Sequence, residues 1–232
     1  MADLTTYTLD GSTAVITMDD GKANALSTEM IDQLTAALDR AEAEAKAIVL
    51  AGRPERFCAG FDLKVMMSGP ANAVALLTKG GELLMRLYAA KVPLVIACTG
   101  HALAGGALVV LTGDLRIAAA GAYKIGLNEV SIGLPVPVLA MELARDRLVK
   151  PELDRATLMA TIYDPEQAKL AGYVDAVVPG GELLARAKQE AARLGQLPSQ
   201  AFRATKQRLR AATIATIRTG MKTDLDTLMA PQ

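Results

Sequence analysis

The apolar and polar positions of this chain change period several times, and each change marks an element. Residues 4–9 and 13–18 alternate and are rich in β-branched side chains, with Asp10-Gly11 between them, which predicts a two-stranded hairpin. After Ser27 the period becomes helical. Met30, Leu34, Leu38 and Ala41 recur one turn apart, while Asp32, Asp39, Arg40 and Glu42 occupy other faces. Ser27 is the predicted N-cap, with Glu29 in the first turn. Residues 47–51 are continuously apolar over a strand's length, as expected for a strand covered on both faces. Residues 93–98 and 115–119 repeat that pattern, separated by helical stretches over about 73–89 and after Gly105. This alternation predicts an α/β chain with parallel strands, whose ligands sit at the carboxyl ends of those strands.

The later chain reads as mostly helical, over 138–149, 151–161, 165–171, 181–194 and from Ser199 to about Met229, with one strand at 173–178. Gly195 and Pro198 mark a hinge before the last segment. That segment carries Phe202, Leu209, Ile214, Ile217, Met221 and Leu225, an apolar face that needs a surface on its own core or on a neighbour. The expected division is a core over residues 1–180 and a C-terminal helical region over 181–232.

Composition narrows the choices by exclusion. The 25 basic and 25 acidic residues balance and form no basic run, so neither nucleic acid nor an anionic membrane is expected as a partner. No apolar stretch reaches spanning length and no basic leader precedes the first strand, so a cytoplasmic protein is expected. Two cysteines, Cys58 and Cys98, are too few for a disulfide framework and wrongly spaced for zinc, and are expected as buried thiols. The single histidine, His101, follows Gly100 in a predicted turn and reads as structural. His-based triads and metal clusters are thereby set aside.

Candidate chemistry concentrates between Cys98 and Glu129. An apolar strand there runs into Ala102-Leu103-Ala104-Gly105-Gly106-Ala107 and then into an apolar helix, residues 108–111. A helix N-terminus presents unpaired N–H groups and a partial positive charge. At Gly105 a ligand oxygen can approach the amide without meeting a Cβ. Glu129 closes the stretch after Ile125-Gly126-Leu127-Asn128, which reads as an apolar turn. An amide awaiting negative charge and a nearby carboxylate suit proton abstraction beside a carbonyl. A second loop, 52–63, ends in Phe57-Cys58-Ala59-Gly60-Phe61-Asp62-Leu63, a tight turn into a helix that Asp62 caps.

These motifs, in this order, resemble the crotonase (enoyl-CoA hydratase/isomerase) superfamily. The resemblance also includes Ala23-Asn24-Ala25-Leu26, Gly113-Asp114-Leu115-Arg116-Ile117-Ala118 and Gly133-Leu134-Pro135. It continues through Ala168-Lys169-Leu170-Ala171-Gly172-Tyr173-Val174-Asp175 to Thr205-Lys206, and so spans nearly the whole chain. It implies a crotonase-like ββα superhelix with a helical C-terminal trimerisation region, assembled as a homotrimer or a dimer of trimers. The implied substrate is an acyl-CoA thioester, with coenzyme A part of the substrate and no separate cofactor or metal.

By the same resemblance, the amides of Phe61 and Gly105 hold the thioester oxygen and Glu129 is the catalytic acid/base. Ala59, Gly60, Asp62 and Leu63 would line the pantetheine and thioester, with Lys22, Ala23 and Ala25 near the adenine and pantetheine arm. Asn128 would border the acyl pocket, and Lys206 would reach a CoA phosphate on its own or an adjacent subunit. The acyl tail would follow Val65, Met66, Leu76, Leu77 and Leu84. Hydratases of the family carry two glutamates, and the first falls at Leu108 here. A leucine cannot orient or deprotonate water, whereas one carboxylate suffices for a 1,3-proton shift. This pattern resembles the monofunctional 3,2-trans-enoyl-CoA isomerases of fatty-acid β-oxidation. The alternatives are another single-carboxylate crotonase, hydratase-like or a decarboxylase, and a non-catalytic acyl-CoA-binding protein.

Overall fold

The computed structural model describes residues 3–228. Its strands are β1 (Thr5–Asp10), β2 (Thr13–Met18), β3 (Ala47–Ala51), β4 (Glu55–Cys58), β5 (Leu94–Cys98), β6 (Gly100–Leu103), β7 (Leu115–Ala119), β8 (Ile125–Gly126) and β9 (Ala176–Val178). The helices are α1 (Thr28–Glu44), α2 (Leu63–Met66), α3 (Pro70–Tyr88), α4 (Gly105–Thr112), α5 (Val138–Arg147), α6 (Leu153–Thr157), α7 (Pro165–Ala171), α8 (Gly180–Leu194) and α9 (Ser199–Leu228). Among the described residues no helix is long and apolar enough to cross a membrane.

Six strands form the main sheet in the order β1-β2-β3-β5-β7-β9, antiparallel at the hairpin and parallel thereafter. The hairpin turn is Gly11-Ser12, one residue later than the sequence suggests, because Asp10 pairs with Thr13. Although β2 alternates in sequence, it is covered on both faces: Ala14, Ile16 and Met18 join the main core and Val15 the other. Ser27 caps α1 by accepting from the Met30 amide at 3.1 Å, and Met30, Leu34, Leu38 and Ala41 are all buried. Helix α8 covers the opposite face, where Leu183, Ala187 and Ala191 pack with Val49, Val95 and Ile117. A division at residue 181 therefore cuts through a core that α8 completes.

Three short parallel strands make a second sheet in the order β4-β6-β8. Their sequences read as loop or turn because the strands are short and because β6 and β8 contain glycine. Gly100 shows why size matters: a Cβ there would lie 2.0 Å from the Glu55 carbonyl carbon on the neighbouring strand. Elsewhere the expected helix over 151–161 shrinks to a 3-10 turn (Lys150–Glu152) and α6, and the chain then turns at Ala160, φ +47°. The expected strand over 173–178 pairs only from Ala176. The preceding Asp175 instead binds the Arg116 guanidinium at 2.6 Å, fastening β7 to the start of β9.

Helix α9 folds back over its own chain. Asp114 receives Lys206 at 2.8 Å, Arg210 at 2.9 Å and the Leu94 amide at 2.8 Å, while Arg210 also donates to the Tyr88 carbonyl. Nearer the helix end, Asp224 accepts the Val138 amide at 2.6 Å and so caps α5, and Ile217 is fully buried. The Leu225 side chain and the expected end at Met229 fall outside the described residues.

Candidate active site

The carboxyl ends of β4, β6 and β8 open together onto one cavity of about 550 Å³. The second sheet, which the sequence does not announce, thus delivers the loops that hold the candidate residues. From β4 come Ala59, Phe61 and Leu63; from β6 and α4, Leu103, Ala104 and Leu108; from β8, Asn128 and Glu129.

Backbone hydrogen bonds fix these loops to one another. The Ala104 amide donates to the Gly126 carbonyl at 3.0 Å, joining the second loop to the third. Ala59 donates to Ala23 at 3.1 Å and Leu26 donates to Gly60 at 2.8 Å, joining the first loop to the segment after β2. Asn24 locks that segment down, its buried side-chain amide donating to the Met18, Arg56 and Phe57 carbonyls. Asp62 accepts from the Lys64 amide at 2.9 Å and caps α2, as its sequence context predicts.

Close approach sets the loop geometry. A Cβ on Gly106 would lie 2.0 Å from the Cys58 carbonyl oxygen, and one on Gly60 would lie 3.2 Å from the Gly105 nitrogen. The two backbones therefore touch. Ala104, the residue before α4, is held at φ +47° and ψ −121°, a conformation that strains any residue with a Cβ. Sequence reasoning placed the special backbone at Gly105; the strained position is one residue earlier. No hydrogen bond from the Phe61 or Gly105 amide is found among the described residues, and an amide in the first turn of a helix has no intrahelical acceptor.

Glu129 lies among apolar neighbours with 8 % of its surface exposed. Burial raises its pKa above the ordinary 4.5, opposed only by its own backbone N–H. One carboxylate oxygen, Oε2, is buried without a hydrogen-bond partner, and so is Oδ1 of the adjacent Asn128. Leu108, 3 % exposed, supplies part of the dry wall on the same cavity. The site therefore offers one carboxylate of raised proton affinity in an apolar chamber whose wall includes Phe61, with Gly105 buried immediately behind Ala104. Such a set can remove, hold and return a proton.

The other expected site residues divide. Ala23 accepts the Ala59 amide and Ala25 precedes Leu26, which donates to Gly60, but neither alanine lines the cavity. Gly60 lies beneath it, and Lys22 is exposed beyond it, its carbonyl accepting from Arg53 at 2.9 Å. Lys206 lies on α9, turned into the fold. Only 6 % exposed, it is tied to Asp114 inside the fold, and burial lowers its pKa to about 8 against the pull of that carboxylate. Of the expected tail residues, Met66 and Leu77 line the cavity, whereas Leu76 is sealed in the core at 1 % exposure. Ile132, Leu134, Pro135 and Pro137 form a further wall to which the sequence assigns no site role, although Gly133-Leu134-Pro135 is one of the motifs that carry the resemblance. Cys58 and Cys98 are buried free thiols, pushed up to about 12, and His101 accepts the Lys124 amide at 3.0 Å, a structural role.

Residues 8–232 match the enoyl-CoA hydratase/isomerase family. The chain belongs to that family. It is 31 % identical to human mitochondrial enoyl-CoA delta isomerase 1 over 94 % of this chain and 74 % of the relative. It is 33 % identical to a probable enoyl-CoA hydratase of Rhodobacter capsulatus over 87 % of this chain and 79 % of the relative. A crystal structure of an enoyl-CoA hydratase/isomerase family protein from Pseudomonas syringae superposes with a TM-score of 0.95 at 38 % identity, covering 97 % of this chain and 98 % of the other. The crotonase fold expected from the ordered motifs is the fold of this chain, and its helical C-terminal region is α9.

Proposed function

We propose that the protein is an isomerase that converts 3-enoyl-CoA into 2-trans-enoyl-CoA in fatty-acid β-oxidation. The observation that carries this reading is Glu129, whose Oε2 is buried without a hydrogen-bond partner, on an apolar cavity that Leu108 also lines. In the forward step the Glu129 carboxylate takes the proton from C2. The electron pair of the broken C–H bond moves into the thioester carbonyl, whose oxygen becomes an enolate. The Phe61 and Gly105 amides bind that oxygen more strongly as its charge grows, which lowers the barrier rather than merely tightening ground-state binding. The protonated Glu129 then gives its proton to C4, the enolate collapses, and the double bond stands between C2 and C3. Atoms balance without water.

The dry wall supports this reading in two ways. It raises the proton affinity of Glu129 toward that of a useful base, and it leaves no side chain at position 108 to orient an attacking water. The CoA portion of the substrate would run along Ala59–Leu63 toward Lys22, Ala23 and Ala25. The test is spectrophotometric: 3-enoyl-CoA is mixed with the protein and with Glu129→Gln, and the conjugated 2-enoyl thioester is followed. Conversion by the unaltered protein and its loss in the variant support the proposal. Equal rates in both, or water addition to 2-enoyl-CoA as the dominant reaction, would overturn it.

A further inference from the structure

A second, smaller cavity of about 50 Å³ lies beside the large one, and the two share Phe61, Leu77, Leu108 and Pro137 in their walls. We propose, on the acyl-CoA reading given above, that this inner cavity is the far end of the acyl-tail channel and that Met221, seated on Gly81, sets the chain length the enzyme accepts. Helix α3 supplies the track. Ala73 and Leu77 line the outer cavity, and Leu77, Gly81 and Leu84 line the inner one. These residues recur every three or four positions and so share one helix face. From Ala73 to Leu84 that face extends about 16 Å along the axis at 1.5 Å per residue.

The end of the track is closed from another part of the chain. Met221 and Asp224, on α9, line the inner cavity opposite Gly81 and Leu84. A Cβ on Gly81 would lie 2.7 Å from the Met221 methyl carbon, so this methyl occupies the space an α3 side chain would otherwise fill. Beside it on the same wall stands the Asp224 carboxylate, already bonded to the Val138 amide. An alkyl terminus pushed past Met221 would meet a charged group and remove part of its solvation. Met221 is a flexible, unbranched plug, the side-chain type that most readily adapts to an irregular gap. The stop is therefore built from a glycine on one helix and a thioether on another, and each can be altered separately.

The two alterations push in opposite directions. Met221→Ala deepens the channel. Gly81→Ala drives the Met221 methyl into the inner cavity and shortens it, and an alanine is the better helix former at that position by about 1 kcal/mol, so this variant keeps its helix. The experiment measures binding of saturated acyl-CoAs of graded length, and kcat/KM for 3-enoyl-CoAs of the same lengths, with all three proteins. A methylene in an apolar pocket is worth about 10–200-fold in discrimination. The long-to-short ratio is expected to rise about tenfold in Met221→Ala and to fall about tenfold in Gly81→Ala. Ratios unmoved in both variants, with acyl-CoA still bound by the unaltered protein, would overturn the assignment of the stop alone. Failure of the unaltered protein to bind acyl-CoA of any length would overturn the acyl-CoA reading and this inference with it.

Discussion

Gly80 lies directly against the ring of Phe61: a Cβ on Gly80 would stand 2.1 Å from the ring Cε1. The same ring is 3.1 Å from where a Cβ on Gly105 would be, so it is held between glycines of α3 and α4. The ring thereby anchors the backbone whose amide is proposed to hold the enolate. Gly80→Ala forces the ring to move and is expected to lower kcat by about 10²–10³-fold, the scale of losing one such donor. KM should change less. Overpacking of this kind costs about 1–3 kcal/mol, which thermal unfolding would register beside the kinetics.

Glu129→Gln is expected to lower turnover by about 10²–10⁴-fold, the range for a positioned general base. Because burial raises the Glu129 pKa in the folded state, the acid limb of kcat/KM should fall above 4.5. The same shift makes a stability prediction. A carboxyl whose folded pKa exceeds its unfolded value stabilises the fold below the unfolded pKa and loses that contribution as pH rises through the folded one. Glutamine cannot ionise, so the variant should melt at a higher temperature than the unaltered protein at pH 7, and the gain should vanish near pH 4. A melting-temperature difference independent of pH would contradict the raised pKa.

Leu108→Glu places a second carboxyl on the cavity that Glu129 lines. Measurable addition of water to 2-enoyl-CoA is expected, because the new group can orient and deprotonate a water that leucine excludes. The two carboxyls should then titrate as a coupled pair. Complete absence of hydration in a folded variant would show that position 108 alone does not divide the two chemistries.

Lys206→Met tests the structural role of that lysine. Asp114 keeps Arg210 and the Leu94 amide, so the loss should fall toward the lower end of the 3–5 kcal/mol typical of breaking a buried ion pair. KM for the CoA substrate should not change. A raised KM with an unaltered melting temperature would return Lys206 to the phosphate-binding role that the resemblance implied.

The sequence displays what periodicity and capping chemistry control. The one-turn spacing of Met30, Leu34, Leu38 and Ala41, the Ser27 cap and the uninterrupted apolar runs of β3, β5 and β7 are visible because each depends on local pattern. The second sheet is hidden because β8 is only two residues long and β6 begins with a glycine chosen by its neighbour. Glu129 and Leu108, which line one cavity, are legible as candidates through ordered motifs. The Gly80-Gly81 pair was not, since a glycine's function here is the side chain it admits from elsewhere: Phe61 in one case, Met221 in the other. The Lys206–Asp114 ion pair is hidden for a similar reason, because the two residues are 92 positions apart in the chain.

The small sheet gathers its three loops from stretches that are distant in sequence, and none carries the proposed chemistry by itself. On the proposed function, turnover is a property of the assembled strand ends rather than of any peptide within the chain. On gradual warming, conversion of substrate should disappear when β4, β6 and β8 part company, even if the hairpin at the opposite edge of the larger sheet still holds its amides against exchange.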